Sequence, residues 1–175
     1  MSVQIYTALV LLVAAVRLVE LRVAKAHSAA NLARGGREFG RTHYPVMVVL
    51  HVGLLVGCIA EVWLLDRPFL PWLGWPMLAL LVAAHALRWW CIRTLGQQWT
   101  TRVIVVPGAG LVTSGPYRYL RHPNYVAVAL EGIALPLVHT AWLTALTFTV
   151  LNAALLIVRI RVEERALSLL PAPST

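Results

Sequence analysis

The chain has 175 residues, of which 59% are hydrophobic and 13% charged, with a mean hydropathy of +0.74 and a formal net charge of +8. A soluble domain of this length rarely has such a composition, so the chain reads as an integral membrane protein. The positive charge is not gathered on a soluble basic module that could lie against phosphates, which excludes nucleic acid as a partner and points to topology and anionic headgroups.

In chain order, hydropathy marks five spans: Val3 to about Leu21, Tyr44 to Leu65, Trp72 to Ile92, Tyr125 to Val138, and Ala141 to Ile160. The predicted fold is all-α, one integral membrane domain over 1–175 with about five transmembrane helices. Three N-terminal spans fill 1–93, a loop runs over 94–124, and a helical hairpin with the C-terminal helix takes 125–175. The fourth span is shorter than the ~20 residues a helix needs to cross hydrocarbon. It is expected to tilt little, thin the bilayer, or turn tightly into the fifth across His139 and Thr140. Arg17 follows the first apolar run instead of preceding it, which argues against a signal peptide.

Lys25, Arg34, Arg37 and Arg41 fall between spans one and two, and Arg93, Arg102, Arg118 and Arg121 between spans three and four. Arg159, Arg161 and Arg165 close or follow span five, whereas the second-to-third connection has only Arg67, offset by Asp66. By the positive-inside rule the N-terminus is outside, and the C-terminus and both long loops are cytoplasmic. The expected location is the cell membrane, multi-pass, with the active site facing the cytoplasm.

Within the spans, Arg17, Glu20, Glu61 and Glu131 are ionisable groups at a depth where function is the default expectation. Arg17 and Glu20 can pair on one helix face, and Glu61 lies near the outer end. Glu131, about two turns into span four, is a secondary candidate for lining a substrate tunnel. His51 and His85, alone on apolar helices, read as hydrogen-bonded core residues. Cys58 and Cys91 lack metal-ligand or redox spacing and read as small core residues, so no metal is expected.

The loop from Thr94 to Asn124 is the one connection long enough to build a site. It carries the β-prone run Val103-Ile104-Val105-Val106 and a turn at Pro107-Gly108-Ala109-Gly110. Its glycines fit either an interfacial turn or close backbone approach to a ligand. No strand-helix-strand context supports a dinucleotide fold. Pro123 suits a first helical position, which places His122 near the N-cap and brings amides, an imidazole and the Tyr125 phenol together. Arg159 and Glu163, four apart on the last helix, share a face. They make either an ion pair at a helix end or a pocket in which Glu163 holds an ammonium while Arg159 orients an acceptor oxygen. Glu164 points about a hundred degrees away.

The ordered blocks Leu111-Val112-Thr113-Ser114-Gly115-Pro116-Tyr117, Arg121-His122-Pro123-Asn124-Tyr125, and Arg159-Ile160 followed by Glu163-Glu164 resemble the isoprenylcysteine carboxyl methyltransferase family and the related phospholipid N-methyltransferases. The resemblance implies an all-helical membrane enzyme using S-adenosyl-L-methionine held on the cytoplasmic side. Residue by residue, it implies cofactor contacts at Leu111, Val112, Tyr117, His122, Pro123, Asn124, Tyr125 and Glu163. It implies a substrate-side catalytic role for Arg159. Arg102 falls near a further cofactor-contact position, and Ala109 or Gly110 stands where relatives often have His. The implied partners are membrane lipids and a lipophilic small-molecule acceptor. The expected reaction is O-methylation of a carboxylate or phenol, for example an alkylresorcinol-type lipid. Phospholipid N-methylation is the alternative, followed by a non-enzymatic scaffold or small transporter.

Overall fold

The computed structural model describes residues 1–168, so 169–175 of the expected C-terminal unit lie outside the described residues. Five α-helices make up the body: α1 Val3–Ala33, α2 His43–Leu64, α3 Pro71–Leu95, α4 Pro123–Leu137 and α5 Trp142–Ser168. By length and composition α2, α3 (continued through Gln98) and α5 can each cross a membrane. α1 is longer still, but carries Arg17, Glu20, Arg22 and Lys25 along its second half. α4 has 15 residues, and it packs between α3 and α5 with most of one face buried.

α1 and α5 both run past the ends that hydropathy assigned them, Leu21 and Ile160. Hydropathy reports where apolar side chains stop, whereas Ala, Leu, Arg and Lys continue a helix well without being apolar throughout. α1 ends at a left-handed turn on Gly35 (φ +81°), where the Gly36 N–H reaches the Asn31 carbonyl at 2.9 Å. The extra turns serve the loop: Asn31 Nδ2 donates to the Gln97 carbonyl at 2.9 Å, and His27 Nδ1 donates to the Trp99 carbonyl at 2.9 Å.

One feature departs from an all-helical chain. The β-prone run supplies β2 (Val103–Val105), which pairs antiparallel with β1 (Arg37–Phe39) in the α1–α2 connection. Arg37 faces Val105 and Phe39 faces Val103 in the register. This short ribbon ties both cytoplasm-assigned loops into one layer over the ends of α1 and α5.

The buried charges hold the bundle together. Arg17 bonds both Glu20 and Glu131, and Arg88 lies 3.9 Å from Glu20 and 3.7 Å from Glu131. Two cations and two carboxylates thus neutralise each other across α1, α3 and α4. Removing one partner of such a buried set costs about 3–5 kcal/mol, because the other charge is left uncompensated. Glu131, expected as a tunnel-lining candidate, is instead committed to this network, and Arg88 is a member that hydropathy passes over. Glu61 accepts from the Leu143 N–H (3.1 Å), the Thr144 N–H (2.7 Å) and the Thr144 hydroxyl (2.8 Å), and also from Arg67. It therefore caps the start of α5, whose first amides have no intrahelical partner. His51 and His85 each bond the carbonyl one turn earlier, Met47 at 2.8 Å and Leu81 at 3.0 Å, as expected of core histidines. α4 turns into α5 through Val138–Ala141 with Thr140 at φ 55°, and Gly132 leaves room for the Phe148 ring, which a Cβ there would overlap.

Candidate active site

The site grows from the junction of α4 with α5. Pro123 opens α4 with His122 as its N-cap residue, a position where a missing N–H costs nothing and the preset φ suits the helix. Three residues on, Tyr125 turns inward, and its hydroxyl donates to Glu163 of α5 at 2.5 Å. The His122 ring stacks on the Tyr125 ring, 5.5 Å between centroids and 18° between planes. Its nitrogens lie 3.9 Å from Glu163 and 3.6 Å from Glu164. One turn before Glu163 on α5, the Arg159 guanidinium sits 5.5 Å from the Tyr125 ring centroid.

Among the described residues, then, Arg159 and Glu163 do not form the i,i+4 ion pair. Arg159 is 6% exposed and donates to the Thr101 carbonyl at 3.0 Å and to the Met47 sulfur, while its Nε has no partner. A buried guanidinium without a carboxylate is costly unless something anionic completes it.

Two cavities meet here. The larger, about 670 Å³, lies under the 94–124 loop and the ribbon, with Val103, Val112, Tyr117 and Glu163 in its wall. Its size suits a drug-sized or cofactor-sized molecule. The smaller, about 270 Å³, lies between α1, α2 and α5 with Arg88 of α3 and the start of α4 behind it, and most of the surface it presents is apolar. Leu18, Val48 and Val52 in that wall are exposed, which marks its open side between α1 and α2. Trp99, Thr100, Asn124, Tyr125 and Arg159 belong to both walls.

Of the residues picked from sequence, Leu111, Val112, Tyr117, His122, Asn124, Tyr125 and Glu163 line the larger cavity together, with Leu111 at its exposed rim. Arg159 lines both cavities. Pro123 is buried behind the wall and acts by starting α4. Arg102 lines the cavity while bonded to Glu38 at 3.1 Å and stacked over Tyr44. Ala109 and Gly110 line it too, without a side-chain donor. Burial, with Cys91 and Glu163 nearby, pushes the Tyr117 phenol above its ordinary value, so it stays an O–H donor at neutral pH. The Asn124 Oδ1 is buried with no partner. Trp99, 3% exposed with its indole N–H unpartnered, is not among the site residues expected from sequence; its signals are an aromatic between polar loop residues and a weak family similarity over Leu95 to Trp99.

The sequence model of the isoprenylcysteine carboxyl methyltransferase family matches residues 77–169, more than half of the chain and the whole of the loop, α4 and the described part of α5. The chain belongs to this family. It is a family of membrane methyltransferases, which makes this chain an enzyme of methyl transfer at a membrane. Similarity extends further toward the N-terminus in two relatives. The uncharacterized protein YpbQ of Bacillus subtilis is 40% identical over 152 residues, covering 86% of this chain and 89% of its own. An uncharacterized protein of Haemophilus influenzae is 30% identical over 157 residues, covering 88% and 90%.

Proposed function

We propose that this methyltransferase moves a methyl group from S-adenosyl-L-methionine to an oxygen of a lipophilic acceptor, a carboxylate or a phenol such as an alkylresorcinol-type lipid. The observation that carries this reading is the junction of a polar cavity with an apolar one at Arg159, Tyr125 and Asn124. The donor set fits the cofactor: the Glu163 carboxylate for an ammonium, helix N-terminal amides and His122 for a carboxylate, and the unpartnered Asn124 Oδ1 for a donor. When bound, S-adenosyl-L-methionine supplies a methyl already activated on a sulfonium.

The residues of this chain then have little left to do beyond placement. Arg159 holds the acceptor oxygen at the throat and favours its anionic form, and the aliphatic wall keeps water from the line of transfer. The same cation disfavours an amine acceptor, which would approach as an ammonium and need to lose a proton beside a guanidinium. Oxygen therefore ranks ahead of nitrogen as the acceptor atom. The tail of the acceptor enters from the bilayer between α1 and α2, and the cofactor from the cytoplasm.

Membranes containing the protein, supplied with isotopically labelled S-adenosyl-L-methionine, are expected to yield a labelled neutral lipid ether or ester by mass spectrometry of the extract. Label confined to phosphatidylethanolamine amines, or no labelled lipid at all, overturns the reading.

The orientation follows from the arginine asymmetry: five spans, N-terminus outside, site inside. In a background without the native cysteines, Gly110→Cys is expected to resist an impermeant maleimide in intact cells and to react after permeabilisation. Labelling of intact cells from outside refutes the topology.

A further inference from the structure

The apolar cavity is not uniformly apolar. Asn152 of α5, 2% exposed, forms part of its wall, and its Oδ1 has no hydrogen-bond partner. No hydrogen bond among the described residues uses its amide nitrogen either. His51 of α2 lines the same cavity and packs edge-on against Phe148, one turn before Asn152, at 5.5 Å between centroids. Its Nδ1 is spent on the Met47 carbonyl, which can only accept, so in the neutral ring Nε2 keeps its lone pair.

A buried carboxamide without a partner is costly, so its place in the wall favours a ligand that pairs with it. Arg159 stands at the throat of this wall, and the other charges in it, Arg17, Glu20 and Arg88, are paired among themselves and with Glu131. Beyond Arg159 the wall therefore offers no unpaired charge to attract an ion. What stands open is an amide that donates and accepts and an imidazole nitrogen that accepts. A carbonyl cannot serve the imidazole, and an ammonium cannot accept from the amide. A hydroxyl does both, accepting from the Asn152 amide nitrogen while donating its one proton to His51 Nε2.

We propose that the apolar cavity selects acceptors carrying, besides the group to be methylated, a second hydroxyl bound between Asn152 and His51. Asn152 lies seven residues before Arg159 on the inward stripe of α5 that also holds Leu155. This sets the second hydroxyl roughly 10 Å farther into the tail than the reacting oxygen. An unsubstituted alkyl or prenyl tail leaves both groups unsatisfied.

The inference rests on the reading that this cavity takes the acceptor, and an equilibrium measurement separates the two. Octadecanoate and its analogue hydroxylated at mid-chain are titrated into the purified protein in phosphatidylcholine nanodiscs, with methyl transfer followed in parallel. The hydroxylated lipid is expected to bind on the order of tenfold tighter to the wild type, since a site built to hydrogen-bond a hydroxyl rejects the analogue lacking it. Asn152→Leu and, on a different helix, His51→Leu are each expected to bring the ratio to about one. Equal binding of the two lipids by the wild type, or a preference that persists in both variants, refutes the proposal. Discrimination in binding without transfer to either lipid upholds the hydroxyl site and refutes the acceptor reading alone.

Discussion

Arg159→Ala is expected to leave S-adenosyl-L-methionine affinity close to wild type while lowering single-turnover methyl transfer about a hundredfold or more. The split follows from where the guanidinium points. Arg159 bonds Thr101 and Met47 and lines both cavities, whereas the carboxylate of Glu163, engaged by Tyr125 and His122, lines the larger cavity alone. An interaction made chiefly with the acceptor oxygen during transfer affects rate and not cofactor affinity. Arg159→Lys should recover only part of the activity, because an ammonium keeps the charge but not the fork that bonds the Thr101 carbonyl and the acceptor together. Calorimetric cofactor binding measured beside rapid-quench transfer decides the matter. Transfer at the wild-type rate by Arg159→Ala removes the arginine from the reaction.

The second large effect is expected at the polar end. Glu163→Gln and His122→Ala should each weaken S-adenosyl-L-methionine binding by about 1–3 kcal/mol, the usual loss when a charge-assisted partner in a partly buried site is removed. Glu163 carries the larger share, because its carboxylate is the one anionic group in contact with both Tyr125 and His122. Substitution by Gln keeps the shape and removes the charge, leaving a phenol and an imidazole aimed at a neutral amide. The two variants are expected to be non-additive, since the stacked His122 and Tyr125 rings and Glu163 are in mutual contact. Isothermal titration of both single variants and the double variant tests this. Unchanged affinity in both single variants means that the cofactor is held elsewhere.

Much of this site is legible in the chain before it folds. Pro123 after His122 marks a helix start by backbone chemistry alone, and Arg159 and Glu163 share a face by helical period. The apolar runs set the membrane class, and the three ordered blocks pick out most of the polar residues that the larger cavity collects, though not Asn31, Gln98, Thr100 or Arg102. The helix start, the shared face and the membrane class are local, so composition and spacing over a few residues suffice to determine them, whereas the three blocks are read by their resemblance to the family. What the tertiary structure alone decides is partnership. Val103–Val105 is a strand only because Arg37–Phe39 lies beside it, and Glu131 serves the charge network only because Arg17 and Arg88 reach it from two other helices. Glu61 becomes the cap of α5 across a wide separation in sequence. Trp99 enters the junction because His27 and Asn31, on turns of α1 beyond its apolar part, hold the loop there. Asn152 acquires meaning from the cavity in front of it, and Arg159 differs from Glu163 in also lining the apolar cavity. A buried polar group is stabilised or left open by whatever the fold brings to it from elsewhere, and no local pattern in the chain encodes that neighbour.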